Sequence, residues 1–282
     1  MSAFCRAVFA LLVLVGCGSR SEPAVPPRTI CDGSDDLRFW AGVTGGGMTA
    51  VEHDVLFENG ASFFLIDGRC RFWVKPAENI FEEVRSGVLD PGTLAELADD
   101  FRYDHWPELE GSYFGDVAAF DADNIGFMDR EVAISCAANC LGDSTPPDVV
   151  AMREAYVAWS TRLWETGEAV SGDLRANAVE HSRPPEDWSR EWRPVPWPAS
   201  VPIESFAVPE GGGRPPIVVL SGPDADALRV LRREFLDGEH GDFPSAGHSM
   251  LISDTDGPLY FVNVRDTTPF EDERGVISWL PR

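Results

Sequence analysis

Residues Val51–Val74 read VEHDVLFENGASFFLIDGRCRFWV. Three apolar segments, Val55–Phe57, Phe63–Ile66 and Phe72–Val74, are separated by Asn59-Gly60 and Asp67-Gly68. Both dipeptides tolerate the positive φ angles that two-residue hairpin turns require, so the stretch predicts a three-stranded antiparallel meander. Phe81–Val88 offers a fourth strand. A sheet that begins as a meander argues for an α+β fold, because a doubly wound sheet needs a crossover helix between successive strands.

Downstream, Asp90-Pro91 has the form of a helix start, with Asp as N-cap and Pro in the first turn. Leu94, Leu97, Ala98 and Phe101 supply its apolar face. Weaker strands follow near Val117–Phe120 and Val132–Ser135. A second helix starts near Pro147-Asp148, with Val149, Met152, Tyr156, Trp159 and Leu163 on one stripe and Gly167 closing it. Such a stripe reads as core. Residues 183–202 interleave six Pro with Trp188, Trp192 and Trp197. Repeated Pro excludes helix and central strand, and three Trp need burial, so an extended connector laid along a domain surface is expected. A recognition segment for a protein partner is the sharper alternative. Beyond it, Ser205–Val208 and Ile217–Leu220 read as strands. Ser221-Gly222-Pro223-Asp224 opens a helix carrying Leu228, Leu231 and Phe235, and Gly238 ends it. Met250–Ser253 and Leu259–Val264 flank Asp256-Gly257 as a last hairpin. Asp224 and Asp226 near the helix start and Arg229, Arg232 and Arg233 later have the sense that complements a helix dipole.

At the other end, Arg6 precedes an apolar run from Ala7 to Val15, which closes in Leu14-Val15-Gly16-Cys17. A basic start, a short apolar segment and small residues at a cleavage point make an export signal, too short to span a bilayer as a mature helix. The last four residues resemble the lipobox of bacterial lipoproteins. That resemblance implies that residues 1–16 are removed, that Cys17 carries acyl chains, and that the chain is held at the cell envelope by a lipid anchor. Gly18 rather than Asp after the Cys implies, by the usual sorting rule of such lipoproteins, the outer membrane. Residues 17–30, rich in Ser and Pro, then read as a flexible tether. The remainder divides into an N-terminal α+β domain at 31–168, the Pro/Trp-rich connector at 169–202, and a smaller C-terminal α/β or α+β unit at 203–282.

The formal net charge is −24. Nucleic acid is not an expected partner, since affinity for it comes from Lys and Arg neutralising phosphates. An anionic lipid surface is disfavoured as a direct contact for the same reason. At 44% hydrophobic, with 17 Phe and 9 Trp, the chain has material for a sizeable core. With Cys5 in the signal and Cys17 lipidated, Cys31, Cys70, Cys136 and Cys140 remain, an even number in an oxidising compartment. Of the three pairings, Cys31–Cys70 with Cys136–Cys140 is preferred, and a four-thiolate zinc site is the rival.

Chemistry is sparser. Asp121, Asp123 and Asp129 around Asn124-Ile125-Gly126 suggest a calcium loop, because alternating carboxylates can converge on one hard cation. Ile125 and Val132 stand where the EF-hand pattern needs ligands, and an Asp/Asn-rich turn explains the same residues. No cofactor is expected, with calcium left as the possibility. Asp32, Asp35 and Asp36 beside Cys31 form a second acidic cluster. Glu239, His240, Asp242 and His248 are the best catalytic or transition-metal group, since imidazoles and carboxylates can share an ion or a proton. Gly241, Pro244 and Gly247 make that segment a loop without defined geometry. Two readings follow. The first is a lipid-anchored binding or scaffolding module of the envelope; the second is an envelope hydrolase, metal-dependent or not, built on residues 239–248.

Overall fold

The computed structural model describes residues 28–45, 62–76, 83–113, 124–137, 140, 145–181, 195–209, 211–213, 215–238, 240, 250–253 and 257–271. The fold is α+β, with two mixed sheets, each covered on one face by helix.

The first sheet contains β1 (Leu37–Gly45), β2 (Phe63–Asp67), β3 (Arg71–Lys75), β4 (Arg85–Val88), β5 (Gly111–Tyr113), β6 (Asn124–Met128), β7 (Ala133–Cys136) and β8 (Glu168–Ala169). Their order is β5-β7-β6-β1-β2-β3-β4-β8, antiparallel except for the β5–β7 pair. The expected β2–β3–β4 run is present, with Ile66 opposite Phe72 and Phe72 opposite Gly87. The strand expected at Val55–Phe57 lies outside the described residues. On its other side β2 pairs antiparallel with β1, a strand beyond the expected meander.

The β2–β3 turn differs from the two-residue hairpin expected at Asp67-Gly68. Cys70 N–H donates to the Asp67 carbonyl, and the left-handed residue is Cys70, at φ 61°. This is a three-residue loop in which Asp67 also accepts from the Arg69 and Arg71 amides. Gly68 serves close approach instead, since a Cβ there would lie 2.2 Å from Asp32 Oδ1. Cys31 bonds Cys70 and Cys136 bonds Cys140, the preferred pairing.

Both faces of the first sheet are buried, which is why β2 reads as continuous rather than alternating hydrophobics. On one face Phe39, Phe64 and Phe127 meet Phe101 and Trp106, with Phe39 edge-on to Phe101 at 5.1 Å. Helices α1 (Pro91–Asp100), α2 (Trp106–Leu109) and α3 (Pro147–Thr166) contribute to this core. Asp90 caps α1 as expected, accepting from the amides of Gly92 and Thr93. The expected α3 stripe, Val149, Met152, Tyr156, Trp159 and Leu163, is buried there. Gly167 ends α3 in extended backbone, where a Cβ would fit tightly, 3.0 Å from the Leu163 carbonyl and 3.1 Å from Arg85. On the opposite face Leu37, Trp40, Leu65 and Trp73 are covered in part by Phe270, edge-on to Trp73 at 5.0 Å. A register shift between Leu37 and Phe39 lets both residues be buried, on opposite faces.

The second sheet is built on β9 (Leu174–His181), with β13 (Leu259–Asp266) antiparallel along one edge and β12 (Met250–Ser253) beyond it. β10 (Ala207–Pro209) and β11 (Val218–Leu220) share the other edge of β9. Helix α4 (Gly222–Leu236) packs Ala225, Leu228, Leu231 and Phe235 against Ala176, Ala178, Val262 and Val264.

This corrects the expected connector at 169–202. Its first part contains β8 and the central strand β9, so the second unit begins near Leu174, not at 203. The reason is tertiary: Leu174, Ala176 and Ala178 alternate toward α4 while Arg175 and Asn177, polar and unremarkable in sequence, are buried on the reverse face. There Arg175 stands opposite Arg265, and Glu271 lies between them, accepting two hydrogen bonds from Arg265 at 2.6 and 2.8 Å. The end of the connector does lie along the body. Val195 and Trp197 join the second core, and Trp197 Nε1 donates to the Val201 carbonyl. Trp188 and Trp192 lie outside the described residues. Ser221 occupies the N-cap position of α4, but its side chain makes no cap hydrogen bond.

Candidate functional site

The two units meet along a cleft of about 420 Å³. Glu83, just before β4, Arg85, its first residue, and Trp164, near the end of α3, form one wall. The other is the stripe of α4 that includes Arg229, Val230, Arg232, Arg233 and Leu236. Residues three, four and seven apart share a helix face, so the arginines at 229, 232 and 233 are placed together by α4 while its core stripe faces β9 and β13. Read along the chain, these arginines suited the helix dipole. In the fold they face carboxylates of other elements.

Two arginine–carboxylate–arginine bridges result. In the first, Glu83 accepts from Arg85 Nε at 3.1 Å and from Arg233 Nη2 at 3.3 Å. Arg85 also lies 3.9 Å over the Trp164 ring and donates to the Trp164 carbonyl, while Trp164 Nε1 donates to the Glu83 carbonyl. In the second, Asp266 is fully buried and accepts from Arg232 Nη1 at 2.8 Å and from Arg229 at 3.3 Å. The Val84 amide donates to the same carboxylate, so Asp266 joins the second sheet to the segment leading into β4. Rim acids complete the cleft. Glu234 takes a 3.0 Å contact from His240 Nε2, and Asp237 caps the end of α4.

His240 is the described member of the candidate catalytic loop. Its ring packs on Phe235 at 4.7 Å and its Nε2 reaches Glu234, which ties the segment after α4 back to that helix. Glu239, Asp242 and His248 lie outside the described residues, as do Cys17 and the calcium candidates Asp121 and Asp123. The third calcium candidate, Asp129, has a different occupation. Its Oδ1 accepts from the Glu131 and Val132 amides at 2.8 Å, and its Oδ2 accepts from Tyr103 Oη at 2.9 Å and is paired with Arg28. The surrounding Asn124-Ile125-Gly126 segment is strand β6 rather than a loop, with Ile125 in the core. Burial, and next the Asp129 charge, hold the Tyr103 phenol well above its usual range, so it stays a donor.

Arg28 also corrects the tether, expected to be flexible through residue 30. Its guanidinium lies 4.9 Å over the Tyr103 ring, its amide donates to Asp104, and Ile30 is buried in the first core. Residues 28–30 therefore belong to the body. The acidic cluster beside Cys31 is engaged by arginines: Asp32 with Arg38, Asp35 with Arg69 and Arg71, and Asp36 with Arg130.

No protein-family model, curated protein or solved structure matches the chain.

Proposed function

We propose that the protein is a lipid-tethered binding module of the bacterial cell envelope, and that it engages its ligand in the cleft between its two units. The observation that carries this reading is the concentration of four arginines and Trp164 in one concave site of a chain whose net charge is −24. Clefts of this size between structural units, walled by aromatic and charged groups, are where small ligands bind. The tether reading rests on Leu14-Val15-Gly16-Cys17, with the body acidic enough that the lipid, not its surface, would do the localising.

Val230 lines the cleft and is 59% exposed, so Val230→Trp fills the site without disturbing the core. The full chain, purified in detergent and used to capture components of envelope extracts, should lose its specific capture in this variant while keeping its melting temperature. Equal capture by both proteins would refute the cleft as the binding site. Cys17→Ser should abolish incorporation of labelled fatty acid and release the protein from the membrane fraction; continued membrane association would refute the anchor.

A further inference from the structure

Resting on the reading of the cleft as the binding site, we infer that its ligand is a small organic monocarboxylate with an apolar body, its carboxylate held by Arg233. Four guanidiniums face the cleft. Arg85, Arg229 and Arg232 are tied into the bridges and hydrogen-bonded to the chain or held by Asp266. Arg233 differs. Its side chain is 61% exposed, and its described hydrogen bond, from Nη2 to Glu83, is a long one at 3.3 Å. A guanidinium carries five N–H donors in a planar fork that matches a carboxylate, so Arg233 has donors to offer a ligand.

The apolar half of the recognition comes from the same wall. Val230, one turn before Arg233 on α4, is among the few large hydrophobic side chains exposed among the described residues, and Leu236 and Trp164 line the same cleft. A ligand with its carboxylate on Arg233 has this surface for its body.

The acids set the charge of the ligand. Glu83 and Asp266 each offset one arginine of a pair, and Glu234 and Asp237 stand at the rim. A single negative charge meets Arg233 at contact distance, whereas further charges would face the rim carboxylates. An anionic polymer or acidic protein fares worse. Beyond about 8 Å at physiological salt the local arginines are screened, and the remaining charges of such a partner would lie against the acidic surface.

The test is isothermal titration of the full chain in detergent with three probes: benzoate, inorganic phosphate, and neutral benzyl alcohol. Benzoate should bind saturably and more tightly than either of the others. Arg233→Glu should weaken benzoate at least tenfold, Arg233→Lys should weaken it less, and Val230→Trp should abolish it. Val230→Trp leaves every guanidinium in place, so it tests the site independently of the ion network. Phosphate binding more tightly than benzoate, equal binding of benzyl alcohol, or unchanged benzoate affinity in the variants would each overturn the inference. Should benzoate fail to bind while Val230→Trp still loses its captured envelope component, the monocarboxylate falls and the binding-module reading stands. Should neither occur, both fall.

Discussion

Replacing Asp266 by Ala removes the carboxylate on which the two units converge. In the folded protein it accepts from Arg232 at 2.8 Å, from Arg229 at 3.3 Å and from the Val84 amide at 3.2 Å. Arg229 keeps other acceptors, the Gly172 carbonyl at 2.6 Å and Asp226 at 3.3 Å. Arg232 is different, because it is buried against the second core and its charge faces Asp266. Removing one member of a buried ion pair costs about 3–5 kcal/mol, and leaving one buried amide unpaired adds about 1 kcal/mol. The expected loss is therefore on the order of 4–6 kcal/mol, a large part of the roughly 5–15 kcal/mol that holds a domain together. In a thermal scan this corresponds to a fall of roughly 10–20 °C at this chain size. Urea denaturation should show a lower midpoint with an unchanged slope. Pairing Asp266→Leu with Arg232→Met should recover most of the loss, since an apolar pair has no desolvation cost to offset. A loss below about 1 kcal/mol for Asp266→Ala would refute the assignment of Asp266 as the joint between the sheets.

Asp129→Ala should cost about 3–5 kcal/mol in urea denaturation, because it leaves Arg28 with the longer Glu131 pair at 3.6 Å and strands the Tyr103 hydroxyl and two amides. It should also speed tryptic cleavage after Arg28, and an unchanged cleavage rate would refute the clamp at the tether. Replacing Cys31 and Cys70 by Ser should cost about 4 kcal/mol and replacing Cys136 and Cys140 about 2 kcal/mol, since the first pair closes the longer loop, 39 residues against 4; the reverse order in chemical denaturation would refute this account. The Asp90 carboxyl is held below its usual value of 3.8 by hydrogen bonds from the Thr93 side chain and the Thr93 and Gly92 amides. A depressed folded-state value stabilises above the unfolded one and is lost as pH falls through the folded one. Asp90→Ala should therefore melt lower than the parent at pH 7, and the gap should close below pH 3.8. A gap independent of pH would contradict the capping role.

Much of the architecture is written locally. Asp90-Pro91, the 149–163 stripe and the hairpin around Asp256-Gly257 each rely on periods and caps within a few residues, and helices α1 and α3 and the β12–β13 pair appear where those signals stand. Strands β1 and β9 were missed for opposite reasons. Leu37–Val43 is bounded by turn signals at Asp32-Gly33 and Gly45-Gly46, but its bulge breaks the alternation that would have marked it. Leu174–His181 alternates, but with Ala toward the core and Arg and Asn opposite, which reads as a solvated segment until Glu271, almost a hundred residues later, arrives to neutralise the arginines.

The candidate site was less legible still. The three arginines of α4 are visible in the chain, yet their spacing suits a helix dipole as well as a shared wall. Glu83 and Trp164 carry no pattern at all. Sequence by itself determined the class of fold, the acidic composition and the lipobox-like start, because each follows from local residue chemistry or from composition. It left three pairings of the four cysteines open, and the structure selects Cys31–Cys70 with Cys136–Cys140. Tertiary structure alone decided that Asp129 belongs to Arg28, that the unit boundary falls before β9, and that Arg85, Arg229, Arg232 and Arg233 share one cleft. Charge pairing between residues 150 or more positions apart, as between Glu83 and Arg233, depends on how the sheets are laid together, and no local period encodes that.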